Sequence, residues 1–220
     1  MKFTRLFLLL SSAVALAACG GGSDNGFPLA AAYRANLESS RATSFDIGGN
    51  CVGSGARNVT APAAGTFEGA PALVKTITAT NNFTNCAGSG VVTSQDFYDR
   101  DYVVLGFVTP NQSYSKFVDK VVVPVAVNIG DAGVLGSAIS WRDDSKAVQI
   151  GTATYSYVVS ADGASTSSVI AKLVTRFVDP SNALVFIQTE TYRLTASGML
   201  TLLVDEVVRT DGFRIKLTVK

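Results

Sequence analysis

Side chains that could do chemistry are few in this chain. Histidine is absent from its 220 residues, which removes Ser-His-Asp and Cys-His nucleophilic systems and leaves no imidazole for zinc or copper. Cysteines stand at 19, 51 and 86. Cys19 sits where an apolar run meets a glycine run. The other two have near-identical surroundings: Asn50-Cys51-Val52-Gly53-Ser54-Gly55-Ala56 and Asn85-Cys86-Ala87-Gly88-Ser89-Gly90-Val91 agree at five of seven places. The echo reads either as two similar strand-to-turn exits or as chance in a Gly-, Ala- and Ser-rich chain. It does not extend far enough outward to indicate a duplicated domain. Carboxylates at Asp143, Asp144, Glu190, Asp205 and Glu206 could supply a general acid and base, but that chemistry needs a separation of roughly 5–9 Å, which linear order does not set.

Three further groups carry less. Asp96, Asp99 and Asp101 in QDFYDRDY cluster oxygen ligands, yet they lack the glycine and closing glutamate of a calcium loop and have Arg100 among them. A solvated turn beside Phe97, Tyr98 and Tyr102 is the plainer reading, so no metal site is expected. Ser113-Tyr114-Ser115-Lys116 matches S-x-x-K and Ser23-Asp24-Asn25 matches S-D-N. The second precedes the first, no K-T-G occurs, and Ser113 follows a turn rather than opening a helix, which argues against a serine acyl-transfer site. Trp141-Arg142-Asp143-Asp144 is either a binding rim or a core tryptophan beside a polar turn.

The residues around Cys19 are more telling. Lys2 and Arg5 precede a largely apolar stretch, Leu6 to Leu16, too short for a spanning helix, which needs ~20 apolar residues. Leu16-Ala17-Ala18-Cys19 then resembles the lipobox of bacterial lipoprotein precursors. That resemblance implies cleavage before Cys19, lipid on its sulfur and acylation of the new amine, with residues 1–18 as signal peptide. Several acyl chains hold a protein to a membrane where one chain binds only marginally. Residues 19–26 would then be the lipidated cysteine and a flexible Gly, Ser and Asp tether. Gly20, rather than Asp, after the cysteine resembles the outer-membrane sorting pattern of enteric bacteria, so the expected address is the cell envelope, on the outer membrane facing the periplasm. If Cys19 carries lipid, Cys51 and Cys86 remain in an oxidising compartment and are expected to pair, with two free thiols as the alternative.

These features must be positioned by a body running from residue 27 to 220, long enough to bury a core unaided. Pro28 followed by LAAAYRANLESS, with Leu29, Ala32, Tyr33 and Leu37 at helical spacing, predicts one short helix. From Phe45 onward, β-branched and aromatic runs alternate with Gly and Asn turns. Residues 150–159, 168–178, 183–194, 199–209 and 213–219, separated by stretches containing ADG, DPSN, ASG and TDG, predict a five-stranded antiparallel meander. The last strand puts Phe213, Ile215, Leu217 and Val219 on one face and Arg214, Lys216, Thr218 and Lys220 on the other. VVVPVAV (121–127) reads as an edge strand, or one with a bulge at Pro124. The expected fold is mainly β, a single domain whose meander forms a curved sheet, half-barrel or sandwich with one short N-terminal helix.

Middle strands such as Val169-Ile170, Leu173-Val174, Leu184 to Ile187 and Leu200 to Leu203 put apolar groups on both faces. Either a second sheet or the helix covers one face, or a lipid-sized cavity is lined from residues 169 to 208. Without Lys2 and Arg5 the balance is 16 basic against 17 acidic residues, which gives no electrostatic footprint for nucleic acid. The chain also resembles uncharacterised β-rich lipoproteins of proteobacteria in its Asn-Cys pair and its Phe97-Tyr98-Asp99 to Leu105-Gly106 segment, a group that implies no activity. The expectation is a non-enzymatic envelope module that binds an apolar ligand or a protein partner and needs no cofactor. The alternative is a carboxylate-dependent hydrolase.

Overall fold

The computed structural model describes residues 26–220. The leader, Cys19 and the tether up to Asn25 lie outside the described residues. The helix α1 (Leu29–Glu38) is followed by thirteen strands: β1 (Arg41–Gly49), β2 (Gly53–Val59), β3 (Ala63–Phe67), β4 (Ala70–Phe83), β5 (Gly90–Tyr98), β6 (Val104–Thr109), β7 (Ser113–Phe117), β8 (Ala132–Trp141), β9 (Gln149–Ala161), β10 (Ser168–Val178), β11 (Leu184–Thr195), β12 (Leu200–Arg209) and β13 (Arg214–Val219). The mainly β, antiparallel fold with one short N-terminal helix is as the sequence implies, and the C-terminal meander falls within a residue or two of its expected bounds.

The sheet order is β2-β1-β13-β12-β11-β10-β9-β8-β7-β6-β5-β4-β3, and β2 also pairs with β4. That second pairing, Gly53↔Phe83 through Val59↔Ile77, closes twelve strands into an antiparallel barrel. The long strand β4 is its splint: the second half pairs with β2 and the first half with β3, Ala63↔Val74 through Phe67↔Ala70. Strand faces alternate, so register sets which side chains enter the barrel. Phe45, Leu217, Asp205, Glu190, Leu173 and Tyr157 share the inner face around half the circumference. Tyr98, Asp96 and Lys75 continue it on β5 and β4, and Arg57 on β2 completes it.

Side chains fill a barrel of about eight strands, and twelve leave a wider interior. Here α1 fills one end. Leu29 and Ala32 pack with Val127, Val159, Val169 and Leu194, and Leu37 packs with Tyr98, Val104, Phe117 and Ala138. The Cα–Cβ direction of a helix puts positions three and four apart on one face, and this spacing is the one the sequence shows. Asn36 Nδ2 donates to Leu200 O at 3.1 Å, tying the helix to β12.

The segment VVVPVAV is not a strand. Residues 118–131 form an irregular loop between β7 and β8 that lies across the helix end. Ala30 N donates to Pro124 O at 3.1 Å, and Phe27 and Val127 exchange bonds at 2.8 and 2.9 Å. Its backbone groups are satisfied by the N-terminal segment and the barrel rim in place of a ladder, and Pro124 supplies a carbonyl without needing a donor.

The β3–β4 hairpin lies on the outer wall. Phe67 stacks on Tyr114 and tilts against Phe97, with ring centroids 5.6 and 4.8 Å apart. Gly106 lets it approach, since a Cβ there would meet the Phe67 ring at 2.4 Å. Elsewhere the outer wall carries Thr154, Ser156, Lys172, Arg176, Thr191 and Lys216, which pair across strands with one another or with other outward residues, interspersed with the exposed Val134, Val158, Ile187 and Val208.

Candidate functional site

The interior is charged. Inward-facing cations are Arg41, Arg57 and Lys75, and inward-facing carboxylates are Asp96, Glu190 and Asp205. Tyr33 of α1, Tyr98, Tyr155 and Tyr192 accompany them, each with its hydroxyl pKa raised mainly by burial. Ionised groups are tolerated in such a place only when paired or hydrogen-bonded, and among the described residues no buried side-chain nitrogen or oxygen lacks a partner.

Lys75, 1% exposed, shows how this is achieved. Its Nζ donates to the carbonyls of Leu37, Ser39 and Asn36 at 2.6, 3.0 and 3.3 Å. These are carbonyls at the C-terminal end of α1, where a helix has unpaired acceptors and the negative end of its dipole. Burial pulls the Lys75 pKa down, as does Arg41 nearby, with Asp96 acting the other way. A cation from the sheet therefore caps the helix inside the barrel.

Arg57 reaches past β1 and β13 to Asp205 on β12, with Nη2 to Oδ2 3.0 Å. Gln188 Nε2 donates to the other oxygen, Oδ1, at 2.9 Å. Glu190 is the cross-strand neighbour of Asp205. Burial, and then the negative charge of Asp205, push the Glu190 carboxyl well above the usual range, with Arg57 acting against them. Burial likewise raises Asp96 to about 6, against a hydrogen bond from Tyr98 and the charges of Lys75, Arg57 and Arg41. Two carboxyl groups, Glu190 and Asp205, thus stand side by side across β11 and β12.

Beside this network lies a cavity of about 170 Å³, lined by Asn36, Arg41, Thr43, Phe45, Arg57, Leu200, Thr201, Leu202, Asp205, Leu217 and Val219. Its walls are the starts of β1 and β12 and the end of β13, with the last turn of α1 as one side, so it belongs to the helix end of the barrel. Arg41 donates to Asn36 Oδ1, and among the described residues no carboxylate lies in ion-pair contact with it. One rim is thus cationic, and Phe45, Leu202, Leu217 and Val219 are apolar. Only Leu200, Thr201, Leu202 and Asp205 come from the stretch 169–208 that the sequence nominated. The volume is far below that of a whole lipid, because α1 and the aromatic side chains occupy the rest of the interior.

Other nominated residues are dispersed. Asp143 turns the β8–β9 connection by accepting from Ser145, Asp144 stands exposed beside it, and Glu206 faces outward to Arg214. Asp99 accepts from the amides of Asp101 and Val103 as a turn residue, while Asp96 points inward, so the three aspartates do not converge. Ser113 and Lys116 lie on opposite faces of β7, and a helix would be needed to bring them together. Trp141 joins the outer aromatic cluster, and Lys146 lies over the Trp141 and Tyr114 rings.

Cys51 and Cys86 form a disulfide with Cα atoms 5.5 Å apart. The echoed segments meet there: Val52 N donates to Asn85 Oδ1 at 2.6 Å and Asn85 Nδ2 to Asn50 O at 3.1 Å. Their glycines play different parts. A Cβ at Gly55 would meet the Phe45 ring at 2.3 Å, while one at Gly90 meets nothing.

The chain matches no protein-family model, no curated protein and no solved structure.

Proposed function

We propose that this is a lipid-anchored envelope protein, held by Cys19 on the periplasmic face of the outer membrane, whose barrel binds a small amphipathic molecule. The observation that carries the binding reading is the cavity: one cationic edge at Arg41 and an apolar floor of Phe45, Leu202, Leu217 and Val219. An arginine is suited to a carboxylate head through paired hydrogen bonds, and a cavity near ~150 Å³ takes a body the size of a single ring. A short-chain or aromatic carboxylate satisfies both halves. The address rests on Leu16-Ala17-Ala18-Cys19 and on Gly20.

The hydrolase alternative draws on Glu190 and Asp205, which are neighbours across β11 and β12. Hydrolysis by paired carboxylates requires both to touch the substrate. Asp205 lines the cavity and Glu190 does not, and both Asp205 oxygens are engaged by Arg57 and Gln188. That favours binding.

Titration calorimetry with hexanoate and with 1-hexanol tests the ligand class. Hexanoate is expected to bind more tightly, Arg41→Gln to abolish the difference, and Leu217→Trp to abolish both. Equal affinity for the two probes, or full binding by the Trp variant, sinks the assignment. Intact mass of protein taken from membranes tests the anchor: loss of residues 1–18 with added acyl mass is expected, and an unmodified Cys19 thiol defeats it.

A further inference from the structure

The loop over the helix end presents apolar side chains outward in an ordered way. Val121, Val123 and Val127 pack inward against the two core clusters, while Val122, Val125 and Ile129 are 65%, 83% and 61% exposed. The backbone between them is pinned: Val122 N donates to Leu135 O at 3.2 Å, Pro124 O accepts from Ala30, and Gly130 N donates to Val159 O at 2.9 Å. Met199, 60% exposed, stands on the neighbouring β11–β12 turn, where Gly198 lies against Pro28. A contiguous exposed apolar patch marks an interaction surface.

The path of the chain says what covers it. Phe27 is bonded to Val127 within this loop, so the segment that leads back to Cys19 leaves the barrel at the patch. Seven residues, Gly20 to Gly26, separate Cys19 from Phe27, and an extended chain of that length spans at most ~25 Å. A lipid on Cys19 would hold this end within that distance of the bilayer surface. Asp119, Lys120 and Asp131 flank the valines, charged groups that stay at headgroup level while apolar side chains enter the boundary below.

We infer that Val122, Val125, Ile129 and Met199 form a membrane-docking face that seats the barrel, helix end down, on the bilayer beside its own anchor. The inference rests on the anchor reading for its geometry, and its test separates the two. The cavity mouth belongs to the same end, so docking brings the Arg41 rim to the lipid surface, where amphipathic carboxylates partition.

The test uses full-chain protein purified from membranes and reconstituted in phosphatidylcholine–phosphatidylglycerol vesicles. Trp141, the one tryptophan in the chain, is replaced by Phe, and a tryptophan is placed at Val125→Trp or, at the opposite end, at Val148→Trp. Acyl-brominated lipids are expected to quench the first severalfold more than the second. Equal quenching at the two positions, or none at Val125→Trp in protein whose mass shows the acyl groups, overturns the docking face. So does exclusion of soluble acrylamide from Val125→Trp without vesicles, which would mean that a second copy or another protein covers the patch. Absence of the acyl mass defeats the anchor alone, and quenching on added vesicles still decides the docking.

Discussion

The two faces of this one sheet hold acids in opposite ways. Glu68, at the tip of the outer hairpin, accepts from Lys116, Lys146 and the Tyr114 hydroxyl. Those bonds, led by Lys116, hold its carboxyl down at about 2. Asp96 and Glu190 on the inner face are raised, because there the missing water counts for more than the nearby cations. Outside, charges gather around a stack of aromatic rings and remain half in solvent. Inside, they are spaced so that each has a partner, which costs stability but makes the interior specific.

Breaking the inner network and removing the disulfide have the largest expected effects, of similar size. Asp205→Ala strands the Arg57 guanidinium, whose side chain is 25% exposed, and a loss of about 3 kcal/mol in urea unfolding is expected, the low end for a broken buried pair. Removing both disulfide cysteines, Cys51→Ala with Cys86→Ala, is expected to cost ~3–4 kcal/mol on the chain-entropy estimate for a closed loop of this length. The 35-residue separation of the two cysteines sets that figure. On the outer face, Phe67→Ala is expected to cost about 3 kcal/mol, the low end for a buried phenylalanine, and to open the β3–β4 hairpin to proteolysis while the barrel stays closed.

The pH profile sharpens the contrast. Asp96 is raised in the folded state from an ordinary value near 3.8 to about 6, so its folded form binds more protons than the unfolded chain. Its contribution is full below the ordinary value and fades as pH rises through 6, and Glu190 acts in the same direction. Glu68 is lowered, so its contribution is present above about 4.5 and lost as pH falls through 2. Glu190→Gln is therefore expected to flatten the fall in melting temperature from pH 5 to pH 8 and to leave the acid limb unchanged. Glu68→Gln is expected to do the reverse, with less than about 1 kcal/mol at neutral pH because Lys116 and Lys146 are 44% and 37% exposed. Thermal melts across pH read both.

The sequence reveals the meander because its strands are long and their turns carry Asp, Gly and Asn. It conceals the closure, since nothing local in Gly53–Val59 says that it will lie against Ile77–Phe83. The candidate site was legible only in part, in the nominated Glu190 and Asp205, for a related reason. A polar residue within an alternating strand is ordinarily assigned to water, and Arg41, Arg57, Lys75 and Asp96 all read that way. One signal was available: Asp205 and Glu206 are adjacent in a strand, so one of them must face the core side. VVVPVAV misled because a continuous run of β-branched residues suits a loop equally well when its partners are a helix and a rim.

The disulfide bears on more than stability. Cys51 and Cys86 flank the Gly53↔Phe83 pair, so the bond stands at the lip of the one ladder, β2 with β4, that turns an open sheet into a tube. Every other pairing in the closed circuit would survive if that seam parted. The barrel is thus a rolled sheet with a clasp, and the oxidation state of a single bond bears on whether its charged face stays an interior or becomes another surface.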